Sequence, residues 1–496
     1  MNIQCGGTNG STNISSYFGI THLDMNFFLN FVGTKLIKHT MKRIFFIALL
    51  AMALVDAWAC TAVIASGRVT ADGRPFIFKN RDASDGTNNS LLALHGAKYD
   101  YVGVVNYSSS SSPANIWYGH NEAGFAILNT LSYYFNSPTS KANTSAGALM
   151  KKALGQCATV DEFETLLQQT QAQTQSVTLS TNFAVMDSLG NVAFFETCNT
   201  SYTKFDANDE TVAPNGYLVR TNYSFTSPYY NETNHVGEQR YKAACKYMED
   251  TFGDGNIDAL QLVHELPRYL YHGDREINLW DDIPNDIDDV RPTYFSNFIP
   301  RYISASAALM QGVASGESPE CTVTWLAVGW PCACFTVPIV ITPSKVLPQV
   351  VKRASDTYKS EMCTNALELK NRVFTIYHDG TQSTDSIDLA KLINNEQTGI
   401  LQRVMAADAQ VGELGEALVN QLRAGTASES DVASFYNWVD DYWREFYANE
   451  TSAISAVTVD NENNDSNYYS IGGVCYPGKP SSPGVYINNR RKVLIK

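Results

Sequence analysis

The chain holds no apolar run long enough to cross a bilayer as a helix, which takes about 20 residues. Its run at 44–55, IFFIALLAMALV, has twelve. Positive charge is scarce: 36 Lys and Arg face 50 Asp and Glu, for a net charge of −14. That balance excludes the basic surface with which proteins hold nucleic acid. Metal-ligand spacing is missing too. The eight histidines form no His-x-x-x-His pair, and Cys332-Ala-Cys334 has one spacer residue where a zinc pair has at least two. The acidic run DDIPNDIDD at 281–289 lacks the glycine turn and closing glutamate of a calcium loop, so it reads as a solvated loop. Ten cysteines in 496 residues are too thin for a disulfide framework. No repeat of about 20–50 residues is present, which excludes solenoids and propellers. Neither metal nor cofactor is expected.

What the chain does have is an export signature. Lys42 and Arg43 precede the apolar run, and Ala57-Trp58-Ala59 closes it with small residues flanking a large one. This order describes a secretory signal peptide over 41–59, with Met41 as the start and residues 1–40 as upstream translation. Cleavage after Ala59 makes Cys60 the new N-terminus. A lipoprotein site has leucine three residues before its cysteine, where this chain has Ala57. That is a poor match for the alternative, a non-catalytic surface lipoprotein or binding module anchored through Cys60. The expected location is exported: periplasmic, cell-surface or secreted.

Downstream, 44% hydrophobic and 17% charged residues describe a globular chain with a sizeable core. CTAVIASG and PFIFKNRD read as strands around the turn TADGRP. YVGVVNY, GFAILNT, NFAVMDSLGNVAFFET and GYLVRTNYS supply more, and 322–341 reads as one or two buried strands. Helical patterns cover 144–156, 160–170 and 237–250, then 355–375, 394–422 and 428–448. The expected class is α+β, with a core at 60–350, a helical extension at 351–456 and a linker and tail at 457–496. Asn-x-Ser/Thr triplets at Asn106, Asn143, Asn199, Asn231 and Asn449 are glycan acceptors only in a host that glycosylates them.

An N-terminal cysteine carries two reactive groups on one residue. Its thiol can attack a carbonyl while its α-amine takes the proton. Their reference pKa values, roughly 8.5 and about 7.7–8.0, allow that exchange near neutral pH. No histidine stands in a cysteine-protease context, so the amine is the base available.

The stretch CTAVIASGRVTADGRPFIFKNRDAS, residues 60–84, resembles the start of N-terminal-nucleophile (Ntn) hydrolases of the linear-amide type. These include choloylglycine hydrolases, penicillin V acylases, acyl-CoA:6-aminopenicillanic acid acyltransferases and N-terminal-Cys dipeptidases. The resemblance runs over roughly 60–345 and implies a four-layer αββα sandwich there, to which the pattern adds an appended C-terminal helical region. By that resemblance Asp82 holds the amine and the nucleophile in place. The family's arginine falls on Lys79, a departure for which neighbouring Arg81 could substitute. WYGHNEAGFAILNT puts an oxyanion asparagine at Asn129, and GYLVRTNYSF a second at Asn222. IPRYISASAALMQG carries a late arginine at Arg301, with Ser304 at the rival position. The activity implied is hydrolysis or acyl transfer at a linear amide: an N-acyl amino acid, a bile-acid conjugate, an acylated amine or a short peptide. The tail GVYINNRRKVLIK resembles the end of sorting segments of type IX-secreted proteins, and YYSIGG the short strand before it. A basic solvated tail is the other reading.

Overall fold

Side-chain alternation along the first two strands sets the architecture. The computed structural model describes residues 60–455 except 85, 109, 111, 138–142, 174–176, 231–234, 254 and 378–384, and short pieces between 468 and 495. The expected signal peptide, the upstream residues, Asn231 and most of the linker lie outside the described residues. Strand β1 is Cys60–Ala65 and β2 is Phe76–Asp82. They pair antiparallel, Cys60 opposite Arg81 and Ala62 opposite Lys79. The turn between them closes through Gly73, whose φ of 75° disfavours a side chain.

Both strands are buried along their length and sort their residues by parity. Ala62, Ile64 and Ile77 join one apolar cluster; Val63, Ala65, Phe76 and Phe78 join another. Parity puts Cys60, Lys79 and Arg81 on the face of Ile77. Thr61, Asn80 and Asp82 go to the face of Phe78.

A second sheet follows as an antiparallel meander in chain order: β3 (Asn89–His95), β4 (Asp100–Asn106), β5 (Tyr118–Asn121), β6 (Ala126–Leu131), β7 (Thr181–Met186), β8 (Val192–Thr197) and β9 (Tyr202–Asp206). The chain then returns to the first sheet with β10 (Tyr217–Arg220), β11 (Ser304–Gln311), β12 (Val323–Val328) and β13 (Val337–Ile339). That sheet has the order β10-β1-β2-β11-β12-β13. Leu91, Val104, Leu128 and Phe194 of the second sheet share a cluster with Ile77, Met310 and Leu326 of the first, so the two sheets pack on one another.

Helices flank the sheets. α1 (Ala146–Leu154) and α2 (Val160–Gln171) set Leu149, Met150, Phe163 and Leu167 against Phe125, Phe183 and Phe195. Thr159 caps α2 by accepting the N–H of Glu162 at 3.1 Å. α3 (Glu238–Phe252) and α4 (Ala259–Glu265) pack Ala244, Met248 and Leu262 with Val63 and Phe78. The result is a mixed α+β fold of large antiparallel sheets flanked by helices.

The C-terminal helices are α5 (Glu361–Val373), α6 (Ile400–Arg423) and α7 (Glu429–Ser455). Their apolar residues enter the same clusters as the sheets: Leu401, Val404 and Val411 in one, Val419 and Val432 in the other. A fully buried side chain of this kind contributes about 1.5–3 kcal/mol. Surface ion pairs contribute about 0–1 kcal/mol, so burial is what holds α6. Its Asp408 adds a buried tie, accepting from Arg268 Nη1 at 2.6 Å and from the N–H of Thr336, and meeting His264 Nδ1.

The block at 322–341 resolves into β12 and β13 around a short turn at Pro331–Ala333. Arg291 ties down the acidic loop through Asp282, 2.9 Å away, and Asp289. Asn143 and Asn199 accept the N–H groups of Ser180 and Leu179, so two of the triplet asparagines have structural partners. Among the described residues no disulfide joins two cysteines, and no three His, Cys, Asp or Glu side chains converge as metal ligands would. Nor is any helix there long and apolar enough to cross a membrane. Near the C-terminus, β14 (Tyr468–Ser470), β15 (Cys475–Tyr476), β16 (Gly484–Asn488) and β17 (Arg491–Ile495) form a separate antiparallel sheet.

Candidate active site

Cys60 begins β1 and Asp82 ends β2, so the two stand at the same end of the first sheet. On one flank β10 stops at Arg220, opposite Ala62. The chain beyond it, Thr221-Asn222, therefore runs beside Cys60. On the other flank β11 begins at Ser304, opposite Asp82. The second sheet contributes Asn129 from β6.

The backbone nitrogen of Cys60 donates to Asn222 Oδ1 at 2.8 Å. Its carbonyl accepts from Arg240 Nη1 at 2.6 Å, which also reaches Thr61 Oγ1 at 3.2 Å. Arg240 Nη2 donates to the same Asn222 Oδ1 at 2.8 Å. Two donors converge on this atom, which fixes it as the carboxamide oxygen. Asn222 Nδ2 then donates to Leu131 O at 2.8 Å. Asn222 thus directs its oxygen at the Cys60 nitrogen.

Asp82 lies on the opposite face. Its Oδ2 accepts from Arg301 Nε at 2.7 Å and its Oδ1 from Ser304 Oγ at 2.7 Å. The two rival positions for the late arginine both end on this carboxylate. On the Cys60 face, Lys79 Nζ donates to Asn129 Oδ1 at 3.1 Å and to Trp117 O at 3.3 Å. A lysine only donates, so Oδ1 is the atom on Lys79, and the Asn129 amide nitrogen gives one N–H to Thr181 Oγ1 at 3.0 Å. Arg81 donates to Asn89 Oδ1 at 2.8 Å and sets its guanidinium 4.8 Å from the Trp117 ring centre.

No family model matches the chain. No curated protein matches it in sequence either. Solved structures similar to parts of it include penicillin V acylase from Agrobacterium tumefaciens, at 14% identity, covering 58% of this chain and 87% of that one with a TM-score of 0.33. A variant of the conjugated bile acid hydrolase from Clostridium perfringens is 13% identical, over 58% of this chain and 93% of that one, with a TM-score of 0.33. A Caenorhabditis elegans ortholog of N-acylethanolamine-hydrolyzing acid amidase is 14% identical over 38% of this chain and 79% of that one, at a TM-score of 0.28. Likenesses this weak carry no functional reading, which has to come from the site itself.

The electrostatics of the site are dominated by buried cations. Burial pushes the Lys79 ammonium down to about 8; Cys60 and Asp82 pull it back up, while Arg81 lowers it further. Burial likewise pushes Arg240 down to about 10, helped by Arg301 and opposed by Asp82 and Cys60. Arg81 is lowered by burial, with Cys60 opposing. Tyr133 is raised by burial and held back by Arg301, and it couples to Cys60 and Arg240 as well. Cys60 therefore lies within electrostatic reach of Lys79, Arg81, Arg240 and Tyr133.

Two of these residues, Arg240 and Tyr133, were not among those expected. Arg240 sits in the first turn of α3, on a pattern that reads as an ordinary amphipathic helix. Its one local signal is Gly237, at φ 87°. An added Cβ there would overlap Arg240 Nη2 and come within 3.0 Å of its Cζ. Tyr133 follows β6, its N–H donating to Asn222 O at 2.9 Å. The loops after Leu131 and Asn222 border a cleft of ≈ 270 Å³ lined by Phe135, Asn136, Cys198, Thr226 and Tyr229 among others.

Proposed function

We propose that the chain is an exported cysteine-nucleophile amidohydrolase, an Ntn hydrolase of four-layer αββα build, that cleaves a linear amide through a thioester on Cys60. In this proposal residues 41–59 are removed as a signal peptide and the 457–496 tail serves sorting. The observation that supports the mechanism best is the grip on both backbone atoms of Cys60: nitrogen on Asn222 Oδ1 at 2.8 Å, carbonyl on Arg240 at 2.6 Å.

Once the bond before Cys60 is cut, that nitrogen is an α-amine. Asn222 Oδ1 accepts one of its N–H groups and leaves the lone pair for the thiol proton. The thiolate attacks the amide carbon, and the carbonyl oxygen becomes an oxyanion. A preorganised donor at that oxygen contributes about 2.7–4 kcal/mol in a site closed to water. Asn129 keeps a second N–H beyond the one on Thr181, and Lys79 beside it adds positive charge. Asn222 is assigned to the amine, since its oxygen takes the Cys60 N–H. Asp82, gripped by Arg301 and Ser304, holds the end of β2 against Cys60 and favours the protonated amine. That amine passes its proton to the departing nitrogen, leaving an acyl thioester. Water then adds, its proton going to the amine, and the thiol is released with the acid.

The test has two parts. Mass spectrometry of the mature N-terminus should find an unmodified Cys60; a thioether-linked lipid would favour an anchor instead. Cys60→Ala should lower amide turnover by orders of magnitude while unfolding as the parent does. Undiminished turnover in that variant would sink the proposal.

A further inference from the structure

Around Cys60 the described residues bury four cationic side chains, Lys79, Arg81, Arg240 and Arg301, beside one carboxylate, Asp82. Buried charge without a partner is unfavourable, so each cation should show where its charge is answered. Lys79 has Asn129 and Trp117 O. Arg81 has Asn89 and the Trp117 ring. Arg240 has Cys60 O, Thr61 and Asn222. Arg240 also keeps Nε without a partner, but Arg301 alone of the four meets a carboxylate, and it does so with one donor.

Only 6% of Arg301 is exposed. It meets Asp82 through Nε alone, at 2.7 Å. Its Nη1 and Nη2 have no hydrogen-bond partner among the described residues, and Nη2 is fully buried. A residue needed only to clamp Asp82 would use its fork, because two parallel N–H bonds to one carboxylate are the stronger geometry. Here the Nη1/Nη2 edge is withheld from the protein's own carboxylate. Arg301 lowers both Tyr133 and Arg240, and Arg240 holds the Cys60 carbonyl at 2.6 Å. A planar fork with unfilled donors matches a carboxylate more closely than a spherical or neutral group.

We infer that the amide substrate carries a carboxylate and that the Nη1/Nη2 fork of Arg301 receives it. Arg301 is then a specificity-determining residue, while Nε continues to hold Asp82. This rests on the amidohydrolase reading of Cys60 and narrows its substrates to acids: an N-acyl amino acid, with the carboxylate on the departing amine, or a dicarboxylic monoamide, with it on the acyl side. Neutral acyl amides are disfavoured.

Paired substrates test it: N-acyl amino acids against their primary carboxamides, and ω-carboxyacyl amides against their ω-carboxamides. For the wild type, kcat/KM should favour the acid of one pair by about 10–100-fold, chiefly through KM, as expected of a charge-assisted bidentate bond. Arg301→Gln should bring that ratio close to one. Taking the ratio cancels any loss both substrates suffer from a disturbed Asp82. Wild-type turnover of acid and carboxamide at equal efficiency would overturn the inference and leave the amidohydrolase reading standing. So would a preference that persists in Arg301→Gln. Failure to cleave any member of either pair would overturn the two together. The wild-type ratio needs no variant, so a misfolded Arg301→Gln would not shield the inference.

Discussion

Gly237→Ala should injure the active site without touching any residue that bears chemistry. Gly237 precedes α3 at φ 87°, ψ 18°, a left-handed conformation that costs an L-residue with a side chain about 1–2 kcal/mol. The new methyl would also overlap Arg240 Nη2 and stand 3.0 Å from Cζ and 3.3 Å from the Thr221 Cβ. Arg240 has to move, and the first bond lost is Nη2 to Asn222 Oδ1. A hydrogen bond to a charged group contributes about 1.5–3 kcal/mol, so the total loss of stability is about 2.5–5 kcal/mol. Asn222 then holds the Cys60 nitrogen without its second donor, and kcat/KM should fall about 10–100-fold, on the scale of about 1.4 kcal/mol for each tenfold.

Urea unfolding followed by circular dichroism reads the first quantity, and amide hydrolysis the second. Gly237→Asn separates the two causes, because asparagine tolerates the left-handed region but still carries a Cβ. It should recover only the backbone part, about 1–2 kcal/mol, and lose as much activity as Gly237→Ala. The decisive comparison uses an Arg240→Met background, where no guanidinium remains to be displaced. There Gly237→Ala should cost the backbone term alone and change kcat/KM less than about twofold, since the coupling of touching residues has been removed. An equal loss of activity in both backgrounds would refute the reasoning.

Acid should destabilise the fold through two buried groups. His120, buried against Thr324 Oγ1 at 2.7 Å, is pushed by burial to about 3. Between about 6.5 and 3 the unfolded chain binds a proton that the folded one refuses, so stability falls with pH there, by about 3 kcal/mol from pH 7 to pH 4. Asp408 adds to this lower down: burial alone would raise it, but Arg268 and His264 hold it at about 2. Its contribution is complete above about 3.8 and is lost as pH falls through 2. Urea midpoints measured against pH should flatten between 6.5 and 4 in His120→Gln; an unchanged slope would show that His120 is not the source. The loop after Asn222 should depend on Arg220, whose Nε meets the fully buried Glu196 at 2.7 Å and whose guanidinium lies 4.8 and 4.7 Å from the ring centres of Phe205 and Phe225. Arg220→Met strands that carboxylate, a loss of about 3–5 kcal/mol, and Glu196→Gln in the same chain should restore most of it. A double variant no more stable than Arg220→Met would count against the pair.

The parts of the site that could be read from sequence are those whose chemistry and geometry sit in one short segment. Cys60, the turn at Gly73 and Asp82 lie within one hairpin, where alternation and turn residues set both strands and the face of each side chain. β11 escaped notice because SASAALMQ has no β-branched residue to mark it. It is a strand because both its faces are buried between β2 and β12, which only the tertiary fold supplies. Asn222 could be found but not oriented. Which end of its carboxamide faces Cys60 depends on Arg240, whose bond to Cys60 spans 180 residues of chain.

That distance also explains why one arginine was sought where two divide the task. Sequence offered Arg301 and, as its rival position, Ser304; in space both serve Asp82, 219 and 222 residues away. The contact with Cys60 belongs to Arg240, entering from a helix on the outer face. Arg240 spends Nη1 and Nη2 on a backbone carbonyl, a hydroxyl and an amide oxygen, which fixes the strand that carries Cys60. Arg301 needs one N–H to hold Asp82 and keeps its fork. If a single arginine performed both duties, truncating it would abolish turnover of every amide alike. With the duties divided, Arg240→Met should lower turnover of acid and carboxamide substrates in proportion, and Arg301→Gln should change the ratio between them.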